Sequence, residues 1–265
     1  MTFQLLISTM HKTKQEILNM LKKMNVNCDC VIINQCNQNM CYDEVINFQK
    51  IKILFTTERG LSKSRNMALK NSSADILAIA DDDLYYFTNF DKLIISYYEE
   101  NKNADVVLFG IDSYCDKCSN KEKKCNFLEL GTYISVQTTF KRESIINNAL
   151  FFNEYFGTGS GYYNSGEENI FLADCFRKKL NIWYCPSKIL KRYPSESSWF
   201  KGFNDTKYIF DRGAIYYAIS KNLSYIYYLR FLIVKRKMIK PVKIIEAYRL
   251  ILKGRKKYKK LLKKR

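Results

Sequence analysis

The chain has 265 residues, 47% of them hydrophobic, and a formal charge of +18, enough for one large domain or a domain with an appendage. Its single histidine, His11, argues against a Ser-His-Asp or Cys-His mechanism, and it has no run of about twenty apolar residues that would span a bilayer. Nine cysteines, an odd number with no leading signal segment, point to free thiols in a reducing cytoplasm.

In chain order, the apolar run Phe3–Ser8 predicts a first strand and the spacing of Ile17, Leu18, Leu21 and Met24 a helix over Lys14–Met24. Short strands follow at Cys30–Ile33 and Ile51–Phe55. A helix over Ser62–Lys70 has Ser62 as its expected cap, and Ile76–Ala80 forms a fourth strand. Phe90–Glu100 has helical spacing and Asp105–Phe109 is a fifth strand. Residues 112–130 form a polar connection, and Thr132–Thr139 alternates like a strand. The flexible stretch Gly157–Gly166 opens a helix over Glu167–Lys179, and Ile182–Tyr184 is a short strand. Residues 186–204 are irregular and aromatic, Asp205–Ser220 is helical, and from Leu223 the pattern is amphipathic and basic. Alternating strands and helices predict a doubly wound, mostly parallel α/β sheet, whose ligands sit at the carboxyl ends of the strands. Thr9, Asn34 and Asp81, Asp82 and Asp83 all fall at such ends and should share one crevice.

The segment from Arg59 to Asp83 is the most informative. A basic turn (Arg59, Gly60, Leu61, Ser62) enters a helix carrying Lys63, Arg65 and Asn66, and the strand after it stops at three consecutive aspartates. Carboxylates crowded at a buried strand end repel one another and favour a nearby cation. Mg²⁺ or Mn²⁺ takes such ligands together with substrate phosphates. The cations and helix N-terminus upstream suit the same phosphates, with Arg65 favoured over Lys63 for its planar fork. A nucleotide diphosphate meets all these terms. The plainer alternatives are a solvated turn for the aspartates and surface charge for the cations.

Glu167 and Glu168 follow the Gly-rich stretch. They are either acids matched to a helix dipole or a pair in which one carboxylate, its pKa raised, serves as a general base. Cys115, Cys118 and Cys125 have zinc-like spacing but no evident fourth ligand. Trp199 and Phe200 read as core rather than as a sugar-stacking platform. Residues 221–265 hold seventeen Lys and Arg against Glu246 alone, so a near-neutral body (1–220) carries a basic helical tail (221–265). Interleaved apolar residues suit a helix lying on an anionic membrane surface; RNA ranks second, since no nucleic-acid module is legible in the body.

At these residues the chain resembles the family 2 glycosyltransferases of the GT-A fold, from about Phe3 to Ala214. The resemblance rests on Arg59-Gly60-Leu61-Ser62-Lys63-Ser64-Arg65-Asn66, on Asp81-Asp82-Asp83 where that family keeps its DXD motif, and on Gly166-Glu167-Glu168-Asn169 where it keeps an acidic pair. It implies an inverting, divalent-cation-dependent transfer of one sugar from a nucleotide diphosphate sugar, commonly UDP-linked. By the same resemblance Asp83 and Asp81 would hold Mn²⁺ or Mg²⁺, and Asp82 or Asp81 would contact ribose or sugar. Thr9 and Asn34 would line the nucleoside pocket, with Arg59, Gly60, Ser62 and Arg65 near the nucleotide. Glu168 matches the usual base, with Glu167 as the alternative. The QxxRW motif and membrane spans of processive members do not appear, which implies single-sugar transfer by a soluble or peripheral enzyme. With the basic tail, this suggests a lipid-linked glycan acceptor at the cytoplasmic face, as in bacterial surface-polysaccharide assembly. Two other readings compete. A sugar-phosphate nucleotidyltransferase would want a Gly-rich, Arg-containing loop after the first strand, where this chain has Ser8-Thr9-Met10-His11-Lys12. A non-catalytic membrane-surface protein would bind no nucleotide.

Overall fold

The computed structural model describes residues 1–112, 120–192, 202–240 and 242–264. The first part runs β1 (Phe3–Met10), α1 (Lys14–Lys23), β2 (Asp29–Gln35), β3 (Met40–Ile46), β4 (Gln49–Thr56), α2 (Leu61–Lys70) and β5 (Ile76–Ala80). It continues through β6 (Leu84–Tyr86), α3 (Phe90–Glu100), β7 (Val106–Asp112), β8 (Lys123–Lys124), β9 (Thr138–Lys141), α4 (Arg142–Asn147), α5 (Glu167–Arg177) and β10 (Ile182–Arg192). Three helices close the chain: α6 (Thr206–Ile219), α7 (Ser224–Val234) and α8 (Ile244–Leu262).

One sheet carries all the strands in the order β3-β4-β2-β1-β5-β9-β7-β10-β6, with β8 added against β10. β4, β2, β1 and β5 pair in parallel. β9 runs antiparallel to both β5 and β7, so β7 and its parallel neighbour β10 point the same way as β1. The expected α/β architecture, a mostly parallel sheet with helices on both faces, is what forms.

Side-chain alternation fixes the layers. Leu5 and Ile7 of β1 face a core shared with Ile17 and Leu21 of α1 and Ile94 and Tyr98 of α3. Leu6 faces the other side, with Ala68 and Leu69 of α2 and Phe171 and Leu172 of α5. A one-residue slip of β1 would exchange these faces, so the register that aligns the strand ends is strongly specified. β5 is buried on both faces, as its unbroken Ile-Leu-Ala-Ile-Ala run requires.

Four local expectations change. β3 and β4 form a hairpin whose turn residues Asn47 and Phe48 both have positive φ, and β3 is an exposed edge strand too polar to announce itself. The stretch 130–137 is not a strand: it makes two short 3-10 turns, the second closed by the Gln137 side chain accepting from Ile134 N at 3.1 Å. The short strand expected at 182–184 runs on to Arg192, where β6 pairs with it. α2 begins one residue early, with Gly60 as its cap at φ +118°, so Ser62 lies inside the helix and is not the cap.

The basic C-terminal segment packs onto α6. Gly213 of α6 and Gly254 of α8 let the two helices cross at backbone contact: a Cβ on Gly213 would collide with the Ile251 carbonyl, and one on Gly254 with the Phe210 carbonyl. Tyr228 of α7 donates to the Gly213 carbonyl at 2.9 Å. Among the described residues no helix is long and apolar enough to cross a membrane. Trp199 and Phe200, like Cys115 and Cys118 of the suggested zinc spacing, lie outside the described residues. Cys125 is buried, its Sγ 3.8 Å from the Tyr133 hydroxyl.

Candidate active site

Thr9 and Asn34 are register partners at the ends of β1 and β2, and Asp81 follows directly on β5, the other neighbour of β1. The parallel sheet therefore delivers these polar groups to one edge, where ligands of such sheets bind. The Thr9 hydroxyl donates to Asp82 Oδ2 at 2.5 Å, and Lys12 Nζ lies 3.3 Å from the same oxygen. Asn34 is fully buried and clasps the loop after β1: its Oδ1 accepts from Lys12 N at 3.2 Å and its Nδ2 donates to Lys12 O at 2.6 Å. Lys12 thereby projects between two openings. One, of about 400 Å³, is lined by His11, Asn37, Tyr42 and Phe55; the other, of about 510 Å³, by Glu16, Lys23, Asp82 and Asp83. Sequence reasoning passed over Lys12. Its only signal was a cation two residues beyond a strand end.

Arg59 and Ser62 are placed beside this edge, but their polar atoms work on the protein itself. Arg59 Nη1 donates to the carbonyls of Cys36 at 2.8 Å, Thr57 at 2.9 Å and Thr56 at 3.2 Å, and its Nη2 to Asn37 Oδ1 at 2.8 Å. It staples the loop after β2 to the end of β4. Ser62 Oγ donates to the Phe156 carbonyl at 2.6 Å. Gly60 N donates to Gln35 Oε1 at 2.7 Å, and its φ of +118° strains any residue but glycine. Leu61 N donates to the Thr158 carbonyl at 2.9 Å. The stretch 157–166 is thus pinned to the start of α2.

Arg65 joins the two acidic groups. It is 1% exposed, yet Nη2 lies 3.1 Å from Asp81 Oδ1 and Nη1 3.0 Å from Glu167 Oε1. Its guanidinium sits 5.5 Å from the Phe152 ring centre. Burial alone would loosen its proton, but Asp81, Glu167 and Glu168 outweigh that and raise its pKa. The fork bridges strand end and helix start, which a lysine's single ammonium would not do.

Glu167 and Glu168 open α5 after Gly166, whose φ is +92°. A Cβ on Gly166 would come within 2.8 Å of Ile215 of α6, so only glycine lets the helix start here. Glu167 is buried. Its second oxygen, Oε2, has no hydrogen-bond partner among the described residues. Glu168 is half-buried. Burial, and then the neighbouring Glu167 charge, push its carboxyl up to about 8, with Arg65 pulling the other way. A carboxylate held near neutrality in this manner can exchange a proton at working pH.

Helices from beyond the sheet build the wall next to this pair. Arg212 Nη2 donates to Ser165 Oγ at 2.6 Å, and the buried Asp211 accepts from Asn164 N at 2.9 Å. Tyr258 of α8 accepts from Asn153 Nδ2 at 2.8 Å and packs edge-on against Phe156 and Tyr163.

The donor set at 81–83 is all oxygen. Among the described residues no three His, Cys, Asp or Glu side chains converge into a cage. Asp81 Oδ1 is engaged by Arg65 and Asp82 Oδ2 by Thr9 and Lys12, while Asp83 is exposed at the rim. Two carboxylates completed by phosphate oxygens is an arrangement that suits a hard divalent cation, so these residues fit one.

Residues 7–163, more than half of the chain, match the sequence model of Glycosyl transferase family 2. No curated protein matches the chain. Among solved structures, S. aureus TarS 1-349 in complex with UDP-GlcNAc aligns with a TM-score of 0.61 at 13% identity, over 98% of this chain and 92% of that one. A longer S. aureus TarS structure aligns with a TM-score of 0.62 at 15% identity, over 95% of this chain but only 55% of its own length. TarS 1-349 in complex with UDP gives 0.58 at 14% identity, covering 98% and 92%. At these identities the likeness is one of fold, and the fold is that of GT-A glycosyltransferases.

Proposed function

The chain belongs to glycosyltransferase family 2, and from that membership we propose that it moves one sugar, with inversion, from a nucleotide diphosphate sugar to a hydroxyl of a glycan or lipid-linked glycan. The observation that carries the reading is the Arg65 bridge between Asp81 and Glu167, which supports treating the strand-end aspartates and the acidic pair as one site. A UDP-sugar is the donor we favour; S. aureus TarS, of like fold, has been solved with UDP-GlcNAc and with UDP. The surface-polysaccharide setting belongs to the same proposal and rests on the basic tail of residues 221–265.

In this scheme the opening beside Tyr42 and Phe55 takes the nucleoside; Thr9 and Asn34 are buried and do not line it as expected, Asn34 instead holding the Lys12 backbone at its rim and Thr9 holding Asp82. Lys12, already paired to Asp82, meets the diphosphate as a point charge. Mn²⁺ or Mg²⁺ held by Asp83 and Asp81 would neutralise charge on the diphosphate. Arg59, Gly60 and Ser62 shape the pocket through the backbone they hold, and Arg65 acts by positioning both acids. Glu168 takes the proton of the acceptor hydroxyl. That oxygen bonds to the anomeric carbon from the face opposite the leaving diphosphate, and the bond to the diphosphate oxygen breaks, its electron pair leaving with the nucleoside diphosphate. Glu167, locked to Arg65, holds a charge beside Glu168 and keeps its basicity high. The pinned 157–166 stretch and α8 screen this step from water.

A donor screen tests this. Purified protein incubated with UDP-, GDP- and CDP-sugars and Mn²⁺ should release the nucleoside diphosphate from one class, faster when an acceptor is present. Release that is unchanged by Asp83→Asn and Glu168→Gln together would contradict the scheme.

A further inference from the structure

α7 turns one face inward and a second apolar face outward. Ser224, Tyr228, Phe231 and Leu232 are buried against α6 and α8. On the opposite side Ile226, Leu229, Ile233 and Val234 are 63%, 56%, 74% and 65% exposed, and Met238 extends the row. Single exposed aliphatics are ordinary, but a contiguous ridge marks a contact surface. Cations flank this one: Arg230, Arg236, Lys237, Lys240 and Lys243 are all exposed, and the sequence has no carboxylate between Asp211 and Glu246. α8 contributes charge and, in its first turn, the exposed Ile244 and Ile245, whereas Ala247, Ile251, Gly254 and Tyr258 are spent on α6 and the 153–163 stretch.

Charge and shape select the occupant. A second copy would set two cationic faces against each other, and the rest of the chain carries too little net charge to compensate. Single-stranded nucleic acid wants ring faces for its bases, whereas this ridge is aliphatic. An anionic lipid surface uses both halves: aliphatic tips enter the acyl boundary while the flanking cations meet headgroups. We infer that the outward face of α7, with the cations through Lys243, docks this protein onto an anionic lipid surface. The inference stands apart from the donor reading, because vesicle binding and nucleotide binding are read separately.

Flotation of the full-length protein with vesicles of phosphatidylcholine, alone or mixed with phosphatidylglycerol, tests it. The protein should float with the anionic vesicles and not with the neutral ones. Removing one cation, for example Lys237→Ala, should weaken partitioning about fivefold. Ile233→Asp with Val234→Asp should lower it at least tenfold with an unchanged melting curve, because both side chains are exposed. Absence of flotation, equal flotation with neutral vesicles, or wild-type flotation by the Ile233→Asp/Val234→Asp variant would each overturn the inference. So would dimerisation or RNA binding that those two changes abolish in a protein that never floats.

Discussion

The two walls of the proposed site are built differently. The wall carrying Thr9, Asn34 and the aspartates stands on strand ends whose positions follow from sheet register, and it lies wholly inside the stretch that matches the family model. The wall carrying Glu167 and Glu168 lies beyond residue 163. It is held by helices from the end of the chain, through Arg212 to Ser165 and Tyr258 to Asn153. In the proposed scheme the first wall serves the nucleotide donor and the second the acceptor. Among the described residues Arg65 is the single side chain joined to both by ion pairs, of 3.0 and 3.1 Å.

The comparison breaks most sharply at Glu168. Glu168→Gln should lower transfer by about 10²–10⁴-fold while leaving UDP affinity intact, read by steady-state kinetics beside calorimetry. Wild-type rates would move the base to Glu167 or elsewhere. Because the Glu168 carboxyl sits up to about 8, kcat/KM for the free enzyme should climb with pH and level off above that value. The sign for stability is the reverse. The folded pKa exceeds the unfolded value of about 4.3, so the stability Glu168 contributes is whole below that pH and is lost as pH rises through about 8. Wild-type Tm should accordingly fall more over that window than the Tm of Glu168→Gln.

Arg65→Met strikes both walls together. It leaves the Asp81 and Glu167 carboxylates without their shared cation, one of them buried, and should cost about 3–5 kcal/mol in denaturant unfolding. Arg65→Lys should recover only part of this, because one ammonium does not span both acids. Full recovery would show that the fork geometry is incidental.

Gly213→Ala separates the walls. The added methyl must push α6 from the Ile251 carbonyl of α8, at about 1–3 kcal/mol, which for a chain of this size lowers Tm by several degrees. Transfer should suffer more than UDP binding, since the strand ends are untouched; an equal loss of both would deny the division. Thr9→Val is the smallest test. It removes the hydroxyl that holds Asp82 Oδ2 and should weaken donor binding by about 1 kcal/mol, seen as a raised donor KM at nearly constant kcat.

What could be read in advance follows the same division. Buried strands such as β5 and amphipathic helices such as α1 and α3 announce themselves through period and composition, and the strand-end aspartates through crowding of like charge. β3 did not, because an edge strand bearing Asp43 and Glu44 carries no continuous apolar face. Ser62 resembled a cap because serine so often is one, but the chain enters α2 through the positive φ of Gly60. The partners of Arg65 were hidden for another reason: Glu167 lies 102 residues away, and no spacing encodes an ion pair made by tertiary packing. The basic tail was legible as charge. Only its packing on α6 separates the apolar residues spent in the interior from those of α7 left outside.

The central claim is that the aspartates at the end of β5 serve a diphosphate donor jointly with a cation. Calorimetric titration of UDP into the full-length protein with and without Mn²⁺, repeated on Asp83→Asn, tests it most directly. Saturable heat that needs Mn²⁺ and is lost or at least tenfold weakened in the variant is the predicted result. Absence of heat in the wild type, or binding indifferent both to the ion and to Asp83, would contradict the account.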